Sequence, residues 1–145
     1  MTIIIQNVVR IIVPFILVFG AYVTVYGHIS PGGGFAGGTI LAAALILDRF
    51  VGVKRNFYLT KEISLKCVSY SLVCYGLLKG LAFMEGALHI HIITWPLGHP
   101  GALLSAGIIP VLNILIGLIV MTAFVLLFDL FRGNYSVTAL RKSID

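Results

Sequence analysis

An all-α integral membrane protein with four transmembrane helices is the fold class this sequence predicts, and three observations predict it. Of its 145 residues, 59% are hydrophobic and only 10% charged, against about 25% charged in soluble domains. Four apolar runs each reach the roughly 20 residues that a helix needs to cross a bilayer. Lys and Arg fall in alternate connections, as the positive-inside rule demands of a multi-pass chain.

The first span is expected at about 8–27. It is full length and leads directly into a second apolar run, so it reads as a retained span; a cleaved signal peptide would have a short apolar region and a small-residue cleavage site. The second, about 31–53, is interrupted by charge only at Asp48 and Arg49. Ser30 can cap it, and Pro31 suits a first helical position, where a missing N–H costs nothing. The third is expected at about 63–83 and the fourth at about 107–131. No repeat or linker divides the chain, so residues 1–145 form one bundle. Lys54, Arg55 and Lys61 lie between the second and third spans, Lys66 lies in the first turn of the third, and Arg132, Arg141 and Lys142 follow the fourth. Both termini and the middle loop are therefore expected on the cytoplasmic side of the cell membrane. The net charge of +5 reads as topology; no basic-aromatic stripe points to nucleic acid. Cys67 and Cys74 are seven residues apart on one helix, about 10 Å by helical rise, too far to bridge. They are expected to be buried packing residues.

The stretch "HISPGGGFAGG" (28–38) contains the G-x-G-x-x-G spacing of a dinucleotide loop. That loop needs a strand before it and a parallel sheet around it, and here it joins two membrane helices. A P-loop would end in Gly-Lys-Ser/Thr, where this stretch has Gly-Gly-Thr. No nucleotide and no cofactor is expected. In a helix, Gly33/Gly37 and Gly34/Gly38 form two interleaved G-x-x-x-G pairs, continued by Ala42. Each interior glycine costs about 1 kcal/mol of helix propensity relative to alanine. Two functions can offset that: close approach of another backbone, or a partly unwound turn whose peptide groups line an ion path. Gly76/Gly80 is a second, weaker packing pair.

"YGHISPGGGFAGG" (26–38) closely resembles the signature of the MnhB family, one of the membrane components of the Mrp-type multisubunit Na⁺/H⁺ antiporters. The same component occurs in the antiporter-like membrane arms of archaeal membrane-bound hydrogenases and their sulfur-reducing relatives. "SAGIIPVLNILIGL" (105–118) looks like the family's second landmark, an Ile-Pro-x-x-Asn near the start of the last span. The landmark residues are Pro31, Gly32, Gly33, Gly34, Phe35, Gly37, Gly38 and Pro110. Ala36 departs from the pattern, since many relatives carry a longer residue there. The resemblance implies a non-catalytic membrane subunit, working beside other membrane subunits in a complex that moves Na⁺ and H⁺ and in some cases couples them to redox chemistry. Two rivals stand beside it. One is an adaptor that ions never touch. The other is a stand-alone channel or carrier, which would show an inverted repeat with paired broken helices.

Ionisable residues in membrane segments are costly and so are candidates for an ion path. His28, at the outer end of the first span, can exchange protons near neutral pH, or can simply bond to the glycine turn among headgroups. Asp48 either pairs with Arg49 at the interface or offers a hard oxygen at the mouth of a cation path. Lys79 lies deepest, and either snorkels or pairs with a carboxylate of a neighbouring subunit. Glu85 is six residues further on and on another helix face. Asn113, one turn after Pro110, can bond the carbonyl that the proline frees or a neighbouring helix. His89, His91 and His99 surround Trp95 in an outer loop; without helical spacing or a Cys partner they read as an interfacial loop and not a metal site. Asp129 and Arg132 are expected to end the fourth span as a surface pair.

Overall fold

The computed structural model describes residues 3–29, 31–52, 60–88 and 107–142, with residues 85–88 and 134–142 described by backbone alone. Four helices account for nearly all of them: α1 (Ile3–Tyr26), α2 (Gly34–Val51), α3 (Lys61–Leu88) and α4 (Ile109–Lys142). Each is long and apolar enough to cross a membrane. The all-helical, four-span architecture is therefore as expected, and the differences lie at the helix ends.

α1 begins at Ile3, because Ile3–Ile5 carry the apolar run back past Gln6 and Asn7. α2 begins at Gly34, three residues later than expected, and its cap is Gly33 with φ 133° and ψ 178°. That positive φ is open to glycine and strained for other residues. Pro31 lies ahead of the helix and does not occupy its first position; Ser30 lies outside the described residues. The first backbone bond of the helix runs from Gly37 N to Gly33 O at 2.9 Å, and no side chain caps it. At the other end Gly52 takes a left-handed φ of 71° and donates its N–H to Asp48 O, the usual glycine stop. α3 and α4 outlast their predicted ends. Pro110 falls in the first turn of α4, where its missing N–H breaks no helical bond. It therefore frees no carbonyl within the helix for Asn113 to rescue.

The helices form a row with α2 and α4 at its centre. α1 packs antiparallel on α2 through Val9, Val13, Ala44 and Val51. α2 and α4 run parallel, with Gly34 beside Asn113 and Gly38 beside Gly117 and Val120. α3 runs antiparallel to α4, with Lys61 Nζ 3.9 Å from the position of a Cβ on Gly133. Among the described elements α3 packs on α4 alone. One end of the row thus gathers the start of α1, the end of α2, the start of α3 and the end of α4. The other gathers the His28 turn, Gly33, Pro110 and the end of α3. Large apolar residues such as Phe15, Phe19, Tyr70 and Phe131 are exposed, which costs nothing against lipid tails.

Candidate functional site

Glycine-rich α2 brings three backbones together. A Cβ on Gly37 would lie 2.7 Å from Thr24 N and 2.9 Å from Gly20 O, and closer still to Thr24 Oγ1. That face meets α1. A Cβ on Gly38 would lie 2.7 Å from Gly117 O and 2.9 Å from Val120 Cβ, and one on Gly34 would overlap Asn113 O. This face meets α4. α4 reciprocates with a glycine of its own, Gly117, whose missing Cβ would sit 2.8 Å from Thr24 Cγ2. Thr24 donates its hydroxyl to Gly20 O at 2.8 Å, so its O–H is satisfied within the junction. Ala42 is fully enclosed further along α2.

The turn that leads into the junction doubles back tightly. A Cβ on Gly27 would collide with Gly33 N and Cα, and one on Gly32 would lie 2.9 Å from Val23 Cγ1. Ile29 N donates to Tyr26 O at 2.9 Å to close the end of α1. His28 sits in this turn, half-buried, and both its ring nitrogens are shielded without a hydrogen-bond partner among the described residues. A neutral imidazole carries one N–H donor and one acceptor, and leaving such a group buried and unmet costs about 1–3 kcal/mol. The ring therefore has an unmet demand for a donor and an acceptor beside the bend at Gly33.

The opposite end of the row holds a second polar group. Arg49 Nη1 on α2 is ion-paired with Asp129 Oδ2 on α4, with side-chain exposures of 13% and 17%. Arg132 Nη1 donates to Arg49 O at 3.1 Å. The expected local surface pair of Asp129 with Arg132 is thus superseded by a bridge between helices, because parallel α2 and α4 end side by side. Asp48 Oδ1 is buried and has no hydrogen-bond partner among the described residues. This end lies about 15 residues along α2 from Gly34, or about 22 Å at helical rise, so His28 and Asp48 belong to separate ends and share no site.

The remaining candidates disperse. Phe35 is exposed. Asn113 contributes its backbone carbonyl to the contact with Gly34. Lys79 is exposed on α3, and among the described residues nothing lies within 4 Å of a Cβ on Gly76 or Gly80, so that pair meets no described part of the chain. Cys74, expected to be buried, is exposed, while Cys67 is partly covered; both are free. Glu85 lies on the last turns of α3, where the backbone alone is described, and His89, His91, Trp95 and His99 lie outside the described residues. No cluster of three His, Cys, Asp or Glu side chains suited to a metal occurs among the described residues. Gly20, Thr24 and Gly117 were missed as members of the junction, though Gly20 and Thr24 carry the same small-x-x-x-small spacing that marks α2.

Residues 4–126 match a family described as a domain related to the MnhB subunit of Na⁺/H⁺ antiporter. An uncharacterized protein of Methanocaldococcus jannaschii is 35% identical over 101 residues, covering 66% of this chain and 38% of that protein. The antiporter subunit mnhB2 of Staphylococcus epidermidis is 47% identical over 45 residues, 31% of this chain and 32% of the relative. The chain thus spans about a third to two-fifths of the length of these relatives. Among solved structures, a chain of the membrane-bound sulfane sulfur reductase, an archaeal respiratory membrane complex, superposes with a TM-score of 0.66 at 30% identity, covering 86% of this chain and 55% of the other.

Proposed function

Because the chain belongs to the family of domains related to the MnhB subunit of Na⁺/H⁺ antiporters, we propose that it is a membrane subunit, without an active site of its own, of a multisubunit Na⁺/H⁺ antiporter or of the antiporter-like module of a respiratory complex. The observation that carries this reading is the convergence of both landmarks on one junction: Gly34 of the first packs on the Asn113 carbonyl of the second. Residues that lock backbones together suit an assembly role, and none of them bears a nucleophile or a catalytic acid. The half-buried His28 beside that junction supports a share in the ion path, since an imidazole can both donate and accept a hydrogen bond and this one has both nitrogens unmet.

His28→Ala tests the path. The complex should assemble with all its subunits, while Na⁺-coupled proton movement in vesicles falls about tenfold, somewhat below the range for losing a positioned proton-transfer group. Transport at the normal rate, or failure to assemble, would remove His28 from the path.

The cationic residues support an orientation. Arg10, Arg49, Lys61, Lys66 and Arg132 all lie toward the same end of the row, and we place that end, with both termini, at the cytoplasmic face. In a background with Cys67 and Cys74 replaced, a cysteine appended after Asp145 should stay unlabelled by an impermeant thiol reagent in intact cells and label fully after lysis. Labelling from outside would reverse the topology.

A further inference from the structure

We propose that the flank of α3 carrying Leu72, Gly76, Lys79 and Phe83 docks a membrane helix of another subunit, and that a carboxylate on that helix neutralises Lys79. The proposal rests on the chain being one subunit of a larger assembly, and it names what a neighbouring subunit must supply.

α3 uses one stripe on α4. Ser64 and Ser71 are buried there, and Cys67, Val68, Tyr75, Leu78 and Ala82 are partly covered. These positions recur every three to four residues and so form one face. Rotated by roughly 60–120° from it, at 100° per residue, lie Leu72, Gly76, Lys79 and Phe83, spaced four, three and four apart. Leu72 is 56% exposed and Phe83 75%, and the space over Gly76 is open. The same period that seats α3 on α4 is therefore repeated on a second, uncovered flank.

Lys79 makes lipid an unsuitable cover for that flank. It lies five residues before Met84, where the apolar span of α3 ends, about 7 Å by helical rise, and 18 residues from the start at Lys61. The nearer surface is thus toward the helix C-terminus. Helical side chains lean toward the N-terminus, so the stem of Lys79 starts away from the surface it would have to reach. No acidic side chain pairs with it among the described residues. Asp48, Glu62 and Asp129 all sit at the opposite end of the row, and Glu85 is six residues along on another face. Ammonium groups within a membrane segment are held by opposite charge or by polar surroundings, and the described side chains supply neither on that flank.

A second copy of this chain does not fit. A twofold parallel pairing through this flank would set one Lys79 against the other, and like charges repel. A helix of a different subunit with Asp or Glu at matching depth meets both the charge and the shape. Gly76, one turn before Lys79, lets that helix come close.

Photo-cross-linking in the intact complex tests this. A benzophenone amino acid is placed at Phe83, at Leu72, and at Leu77 on the far side of α3 as a control. The complex is isolated through a tag on another subunit, and the cross-linked peptide is sequenced by mass spectrometry. Phe83 and Leu72 should attach at least tenfold more to one membrane segment of another subunit than Leu77 does, and that segment should carry Asp or Glu within a turn of the attachment site. Lys79→Glu should then lower co-purification of that subunit at least tenfold, Lys79→Arg should leave it within twofold, and exchanging the partner's acid for Lys should restore it in Lys79→Glu. Attachment only to lipid, to a second copy of this chain, or to a segment without a carboxylate would overturn the docking proposal while leaving the subunit reading intact. A tagged chain that purifies from membranes with no other subunit would instead overturn the subunit reading itself.

Discussion

Gly38→Leu will separate α2 from α4 and prevent the protein from accumulating in membranes. The position of a Cβ at residue 38 is 2.7 Å from Gly117 O and 3.1 Å from Gly117 Cα. Both are backbone atoms, so no rotamer change relieves the overlap. The helices must move apart, and the loss spreads to Gly34 and Ala42 on the same face. Overpacking alone costs about 1–3 kcal/mol, and loss of the backbone contact adds to it. Steady-state level and recovery of monodisperse complex should each fall at least tenfold. Gly76→Leu is the matched control, since a Cβ there meets nothing among the described residues; the folded chain should tolerate it. Equal accumulation of Gly38→Leu and wild type would show that the α2–α4 approach is not what holds the bundle.

Arg49→Ala will have the second-largest effect. It leaves Asp129 charged in a position only 17% exposed, and removing one partner of a buried pair costs about 3–5 kcal/mol. The residual exposure of both side chains places this pair at or below the low end of that range. Asp129→Asn should be milder, because the amide can still accept from Arg49. The decisive measurement is a double-mutant cycle in thermal unfolding of the detergent-solubilised complex. Arg49→Ala with Asp129→Ala should be more stable than the sum of the single losses by about 1–3 kcal/mol. Strict additivity would mean that the two side chains do not interact.

Much of the fold was legible because membrane segments announce themselves by length and apolarity, and the four apolar runs do so here. The ends were less legible. Ile3–Ile5 belong to α1, but two polar residues at 6 and 7 mask the continuity. Pro31 looks like a helix start until Gly33 adopts a φ that ends the helix there. At the junction, Gly34 and Gly38 announce a close approach, but spacing within one segment cannot say which backbone approaches. Here it is Asn113 and Gly117, in the same chain. Arg49 and Asp129 are 80 residues apart, and each has a nearer charged neighbour in sequence, Asp48 and Arg132. Local pairing was therefore the natural expectation, and the parallel register of α2 and α4 was the missing fact. His28 was legible as a titratable group beside a turn; that neither nitrogen finds a partner there is a property of the folded turn alone.

The parallel pairing of α2 with α4 also fixes an order of events during biogenesis. Antiparallel neighbours joined by a short connection can zip together as soon as both are inserted, and α1 and α2 are such a hairpin. Parallel neighbours cannot, because the chain must first return across the bilayer, and here α3 is that return. Gly34 therefore waits for Asn113, which the ribosome adds 79 residues later, and the groove on α2 stays unfilled while α3 is being made. Throughout that interval a second backbone bearing small residues could enter the groove in place of α4. Until α4 arrives, the Gly34–Gly38 face of α2 is consequently open to a chaperone or a mispaired helix.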